Sequence, residues 1–314
     1  MKQHTPNGRR YLGATSLNTD EIYINIKQNK PESLRLLAAM RVLYSEAKFL
    51  RSMRVMVTVM LPIISLLCLK YFPGFKEELA FIAGIWLIVN RVFLVEKEKR
   101  LVKEAATIQE NFDTNVFQLP WNTLLVGEKI SLERILDLNG KSQEKEEKLI
   151  DWYPGLTSTH HILNVLLAQK TNLHWDIEQR KIYKNILQWV LIIYVVIVIA
   201  IGFLLNLPTQ TMIISFLVPS LPLILHLIEI INSHKQRYES LARVFPKVTS
   251  DIENYSSFND LDYDIRSYQD IVFLKRCDAN MVPDKLYWLK RNVFEKISKE
   301  SNQNHSKNQN TSDS

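Results

Sequence analysis

The sequence predicts an all-α protein with four transmembrane helices in two hairpins and a cytoplasmic helical region. Three observations carry that prediction. Asn185 to Ile228 runs 44 residues without an Asp, Glu, Lys or Arg, and Asn206-Leu207-Pro208-Thr209 breaks it near the middle. A bilayer core about 30 Å thick needs about 20 apolar helical residues to cross it, so this stretch reads as two spans joined by a short turn. A second apolar block, Met53 to Val95, is divided by Pro73-Gly74 in the same manner. No stretch shows the alternating pattern of a half-buried strand.

Composition limits the alternatives. The chain has 314 residues, a formal net charge of +6 and a pI of about 9.1. Basicity alone would suit a nucleic-acid partner, but many of the Lys and Arg flank the apolar blocks, so no direct binding of a nucleic-acid polymer is expected. Cys68 and Cys277 offer neither a disulfide framework nor metal spacing. The first 30 residues hold no apolar signal-peptide core.

In chain order, residues 1–30 read as a polar arm. Pro31-Glu32-Ser33 suits the first turn of a helix. Leu36, Met40, Leu43, Ala47 and Leu50 then give it an apolar face. This helix is expected to run into span one, residues 53–72, with Arg54 and Lys70 snorkelling to the interfaces and Pro62 bending it. Span two covers 77–95, with Asn90-Arg91 as an interfacial anchor. Residues 96–184 form a helical segment broken at Pro120-Trp121-Asn122, by a charged linker from Asn139 and by the turn Asp151-Trp152-Tyr153-Pro154. Spans three and four cover 186–207 and 211–228 within the 185–228 hairpin. Residues 229–300 form further amphipathic helices, and 301–314, rich in Asn and Ser, are expected to be disordered.

The positive-inside rule orients these elements. Arg51, Arg54, Arg91, Lys97, Lys99, Arg100, Lys181, Lys184 and Lys235 flank one set of span ends. The two hairpin turns carry only Lys70 and Lys76 between them. Both termini and the central segment are therefore expected in the cytoplasm of a multi-pass inner-membrane protein.

Candidate functional residues fall in two groups. Ser215, Pro219, Pro222 and His226 follow at steps of four, three and four, which sets them on one face of span four. That face either lines a water path or packs against neighbouring helices. Arg266, Lys275, Arg276 and Arg291, with Tyr287 and Trp288, suit a phosphorylated ligand by charge and stacking, or a solvated helix face. Glu110, Asp113 and His160 are metal-capable, but no HExxH, CxxC or paired His at i, i+4 occurs. There is no Walker loop, GxGxxG or nucleophile elbow. No metal, no cofactor and no catalysis are expected.

Several cytoplasmic motifs, in order around four spans, resemble the SMODS-associated four-transmembrane effectors. They are Ile108-Gln109-Glu110-Asn111-Phe112-Asp113-Thr114 followed by Leu119-Pro120-Trp121-Asn122; Asp151-Trp152-Tyr153-Pro154; Gln169, Asn172, Trp175, Asp176, Arg180 and Tyr183; and Arg266, Gln269-Asp270, Arg276, Val282-Pro283-Asp284, Tyr287-Trp288 and Arg291. Tyr44, Ala47 and Lys48 also fit, so the resemblance spans about residues 25 to 295. It implies a pore-forming effector of bacterial anti-phage defence that disrupts the inner membrane and stops the infected cell. Such effectors are encoded beside nucleotidyltransferases that make cyclic oligonucleotides. A cyclic oligonucleotide or a partner protein is the expected signal, and a homo-oligomer in the lipid bilayer is the expected active form. The alternative is a membrane-anchored scaffold that recruits a cytoplasmic partner without forming a pore.

Overall fold

The computed structural model describes residues 23–312 apart from 144, 205, 207, 257–263 and 279–280. Among the described residues the chain is helical, with no strand. The order is α1 (Tyr23–Gln28), α2 (Pro31–Tyr71), α3 (Lys76–Val89), α4 (Val95–Phe117), α5 (Thr123–Val126), α6 (Leu132–Gly140), α7 (His161–Leu204), α8 (Thr209–Met212), α9 (Val218–Glu253), α10 (Ile265–Arg276) and α11 (Asp284–Ser312). A π-helical turn, Asn90–Leu94, joins α3 to α4 without a break, and a second one, Ile213–Leu217, joins α8 to α9.

Long helices cross the boundaries expected from composition. α2 begins at Pro31 and is continuous through Pro62, and α7 starts at His161 and ends just before the Asn206 turn. Three helical stretches are long and apolar enough to cross a membrane, Glu77–Phe117, His161–Leu204 and Thr209–Glu253. The apolar half of α2, expected as span one, is not among these three; it packs beside α3 as the other arm of a hairpin. In span four the π turn at Ile213–Leu217 lies two residues before Pro219. Pro219 has no N–H for Ser215 O, four residues before it, and Ser65 Oγ donates to that carbonyl at 2.6 Å instead.

Local chemistry sets the helix ends. Gln118 adopts φ +56° after α4, and Leu119 N–H reaches back to Thr114 O at 2.9 Å, the closing bond of a left-handed cap. Pro120 then prevents continuation. Ser131 Oγ and Asp264 Oδ1 accept from Arg134 N–H and Ser267 N–H, each at 3.3 Å, and cap α6 and α10.

The main core lies outside the apolar spans. The first half of α2, α4, α6, the 149–156 turn, the first half of α7, the end of α9 and α10 bury one cluster that includes Leu37, Leu43, Ile108, Phe112, Phe117, Leu138 and Leu166. The spans bury a smaller one, Leu187, Leu223, Leu227, Ile230 and Ile231. α7 lies along α9, α2 along α4, and α3 crosses to α9, so the two hairpins form one bundle.

Four expectations change. Residues 23–28 of the expected arm are helical, and Ile24 and Gln28 are buried; residues 1–22 lie outside the described part. Residues 301–312 of the expected disordered tail continue α11, with Asn302 and Ser306 buried. Their contacts are polar, Asn302 Nδ2 donating to Pro154 O and Thr171 Oγ1 at 3.2 Å each, which an apolar-periodicity reading does not register. Arg54 does not snorkel; it is buried, pairs with Glu98 and donates to Asn90 Oδ1 at 2.6 Å. Asn90 is thereby an interior residue, while Arg91 pairs with Glu229 across the hairpins.

Candidate functional site

The motif residues Glu110 and Asp113 lie on the inner face of α4, both fully buried. A carboxylate in that position requires donors on each oxygen. Arg266 Nη2 meets Glu110 Oε1 at 2.6 Å, and Gln269 Nε2 meets Glu110 Oε2 at 2.7 Å and Asp113 Oδ2 at 2.9 Å. Arg276 pairs with Asp113 Oδ2, and Tyr153 O–H donates to Asp113 Oδ1 at 2.7 Å. Arg266 also pairs with Asp270, which accepts from Asn122 Nδ2 at 3.0 Å. Gln169 Nε2 donates to Ile265 O at 2.8 Å. One network therefore locks α10 to α4, α7 and the Pro120 turn. Burial, then the charge of Asp113, raises the Glu110 pKa. Burial, then Asp113, holds the Tyr153 hydroxyl well above its usual range.

The aromatic turn is set by α1 and α4. Asp151 takes φ +52°, and its N–H donates to Asn29 Oδ1 at 2.9 Å. Tyr153 N–H donates to Gln28 Oε1 at 2.8 Å. The Phe112 and Tyr153 rings stack at 6.2 Å, and the Arg41 guanidinium sits 5.5 Å over the Trp152 ring. Trp121 Nε1 donates to Gly127 O at 2.8 Å, a loop-closing role.

Beside this network lies an open cavity of about 890 Å³ between α2, the 148–154 turn, α7, α9, α10 and α11. Ten basic side chains line it, Arg41, Lys48, Lys148, Arg180, Arg237, Lys275, Arg276, Arg291, Lys296 and Lys299, against Asp151, Asp176, Asp278 and Glu295. Tyr44, Trp152, Tyr153 and Trp175 give it aromatic walls. Arg291 pairs with Glu295 along α11, and Trp175 Nε1 donates to Ser298 Oγ at 2.8 Å. On the floor, Arg180 and Arg237 both hold Asp176, and Arg180 Nη1 meets His234 Nδ1 at 2.7 Å. Burial would raise the Asp176 pKa, but the two arginines bring it down to about 2. Burial and Arg180 push the His234 pKa down to about 2, so the imidazole is neutral and accepts from Arg180.

The structure brings most of the predicted cytoplasmic residues to these two neighbouring places. Glu110, Asp113, Gln269, Asp270 and Arg266 form the buried lock, and Asp151, Trp152, Tyr153, Pro154, Trp175, Asp176, Arg180, Lys275 and Arg291 reach the cavity, with Gln109 beside Tyr44. Arg276 belongs to both. Asn111 is half-buried and Pro283 exposed. The side chains of Asp284, Tyr287 and Trp288 lie outside the described residues. His160 is not beside Glu110; it packs on Tyr255, with the rings 5.6 Å apart. Among the described residues no three His, Cys, Asp or Glu side chains cluster for a metal.

In the single chain, Ser215, Pro219 and Pro222 are buried and His226 is half-buried. Ser65 Oγ donates to Ser215 O at 2.6 Å. In the single chain the stripe therefore faces the interior of the bundle, where Ser215 Oγ and His226 Nε2 are buried without a hydrogen-bond partner among the described residues. His234 and Arg237 are the residues that sequence reasoning missed. Their signal was position: Ile230, His234, Arg237 and Leu241 share the buried face of α9, where a His and an Arg are out of place.

A family model described as the SMODS-associating 4TM effector domain matches residues 23–305. The chain belongs to that family. The family description gives it four spans. A protein of Bacillus cereus (strain VD146) named "Probable CBASS effector molecule" is 34% identical over 275 residues, covering 84% of this chain and 92% of its own length. No solved structure matches the chain. Family and relative together make this a membrane effector of anti-phage defence.

Proposed function

We propose that this effector binds a cyclic oligonucleotide in the basic cavity and then opens the bilayer as a homo-oligomer, without catalysing a reaction. The observation that carries the reading is the cavity itself. Ten basic side chains against four acidic ones form a site for a polyanion, and aromatic faces suit stacked bases. Its volume falls within the 300–1,000 Å³ range of small-ligand sites. The walls on α2, α7 and α9 continue without interruption into the spans, so a ligand that favours one arrangement of the walls also biases the membrane bundle.

In this reading the cavity and both termini face the cytoplasm of the inner membrane, as the flanking basic residues dictate. A neighbouring nucleotidyltransferase supplies the signal. Four helices of one chain whose polar stripe is internally packed leave no wide water path, so conduction requires several copies. Calorimetry of the full-length protein in nanodiscs against cyclic di- and trinucleotides tests the binding, and absence of binding across that set sinks it. Expression with the activating system should depolarise cells; an intact membrane potential under full activation sinks the pore. Replacing the spans by unrelated ones should abolish depolarisation, whereas a scaffold would retain its activity.

A further inference from the structure

The contact between the two hairpins differs in kind from the contact inside hairpin 2. There α7 and α9 bury the apolar cluster around Leu187, Leu223 and Leu227, and Val59 of α2 only reaches its edge. Between the hairpins polar groups recur. The buried described residues of span one are Arg54, Thr58, Leu61 and Ser65, at steps of four, three and four, and three of the four are polar. α3 backs this face, with Trp86 Nε1 donating to Thr58 Oγ1 at 3.0 Å and Arg54 donating to Asn90 Oδ1 at 2.6 Å. From hairpin 2 come the π turn and α9, which pack on α2 and α3 and bring the stripe from Ser215 to His226. Ser65 Oγ donates to Ser215 O at 2.6 Å, and Arg91 pairs with Glu229 at the span ends. This seam is not fully satisfied. Ser215 is 1% exposed, and its Oγ, like His226 Nε2, is buried with no hydrogen-bond partner among the described residues. Buried groups of that kind normally hold a protein or water partner. Asn90 and Ser215 also stand in the two π turns, a local form frequent at functional sites.

We infer that the seam between the hairpins, with α2 and α3 on one side and α9 on the other, is the plane along which the bundle parts, and that the polar faces of α2 and α9 then line the water path. The inference rests on the effector opening the bilayer and adds which surfaces meet the water. Its physical reason is the asymmetry between the two kinds of contact. Water replaces the hydrogen bonds of Thr58, Ser65 and Ser215 nearly one for one. It also supplies the partners that Ser215 Oγ and His226 Nε2 lack. Parting α7 from α9 instead would bring Leu187, Leu223 and Leu227 into water at the full hydrophobic cost. The outward side chains Ile193, Val196 and Phe203 keep their lipid surroundings when the seam parts. Arg54 with Glu98 and Arg91 with Glu229 lie at the end from which α2 and α9 continue to the cavity, so a shift of the cavity walls reaches the seam along those two helices.

The test charges the seam and then measures whether it becomes wet. Full-length Ser65→Asp is reconstituted in phosphatidylethanolamine–phosphatidylglycerol liposomes holding a potassium chloride gradient, with no nucleotide added. A carboxylate in the seam has to be hydrated, so potassium efflux should exceed the wild-type rate about tenfold or more. The leak should favour potassium over chloride, as a negative group in the water path dictates. A folded, inserted Ser65→Asp protein as tight as wild type, or one whose leak does not distinguish the two ions, overturns the inference. Ser215→Cys, in a chain that also carries Cys68→Ala and Cys277→Ala, covers the case in which the charged variant fails to fold. In cells that express it with the activating system, a charged methanethiosulfonate should label the new thiol about tenfold faster than in cells without that system. The thiol of Ile193→Cys, on the lipid face, should be labelled equally slowly in both. Equal labelling of Ser215→Cys with and without activation, in cells that depolarise, overturns the inference. Wild-type protein that never depolarises activated cells removes the pore reading as a whole. Depolarisation without wetting of the seam removes only the role given to the seam.

Discussion

The two halves of α7 meet opposite surroundings. From Leu163 to Gln169 seven consecutive residues are buried, so protein surrounds the helix on every side. Beyond Ile186 the same helix turns Trp189, Ile193, Val196 and Phe203 outward, and only a seam that includes Leu187 meets the smaller cluster. The contrast extends to polar groups. The half outside the spans buries Glu110, Asp113 and Gln269 completely, each with several partners, whereas within the spans the pairs Ser65 with Ser215 and Tyr194 with Ser220 stand apart and a charged cluster, Arg54 with Asn90 and Glu98, sits at their end. What differs is the solvent. Facing water, the helix needs a dense core and a fully satisfied polar network, while against lipid an apolar exterior is itself the stable surface.

The sharpest way to break the comparison is at Asp113. Asp113→Ala leaves Arg276, Tyr153 and Gln269 facing an empty site in the core. A loss of about 3–5 kcal/mol is expected, the cost of breaking a buried pair on one side, read by chemical unfolding of the solubilised protein. A loss below about 1 kcal/mol would show that the polar lock is not what holds α10 to α4.

Gly155 probes the edge of the cavity. It adopts φ +76°, and a Cβ there would sit 2.9 Å from Lys299 Cα. Gly155→Ala should cost about 1–3 kcal/mol through backbone strain and lift α11 away from the turn. Faster amide exchange confined to α11 is the expected signature.

Acidification separates the halves through His234. Facing it are Arg180 and Asp176 on α7, Arg237 on α9, Arg51 on α2 and the Tyr183 ring, 5.0 Å away. Its folded pKa of about 2 lies below the ordinary 6.5, so the unfolded chain binds the proton first. The stability is complete above pH 6.5 and falls below it, by about 1.4 kcal/mol per pH unit at most. Melting curves from pH 7 to pH 5 should show that slope, and His234→Asn should flatten it.

The smallest effect belongs to the lipid face. Ile193→Leu exchanges one apolar surface group for another and should stay within about 0.5 kcal/mol. A larger loss in liposomes would mean that Ile193 packs against a second copy, which would sharpen the case for an oligomer.

Charge-free runs and turn residues made the hairpins legible, because a membrane requires long uninterrupted apolar helices and basic flanks. Pro31, Pro120 and Asn206 likewise marked where helices start and stop. The motif residues around Glu110, Asp151, Trp175 and Arg276 were visible as a family pattern. What the pattern could not supply was partnership. Asp113 and Arg276 stand 163 residues apart, and Asp176 finds Arg237 61 residues away. His234 went unnoticed in the sequence because its partners, Arg180 and the Tyr183 ring, come from α7. The tail beyond Ser301 looked disordered because its anchors are single polar contacts with no periodicity.

Sequence alone thus determined the all-α class, the membrane hairpins and the two turns within them, since these follow from local hydropathy and backbone chemistry. Only tertiary structure decided that the polar stripe of span four faces the interior of the single-chain bundle, that Arg54 is buried, and that basic residues from six separate segments surround one cavity. Those outcomes depend on which helix faces meet, and no local window of sequence encodes that geometry.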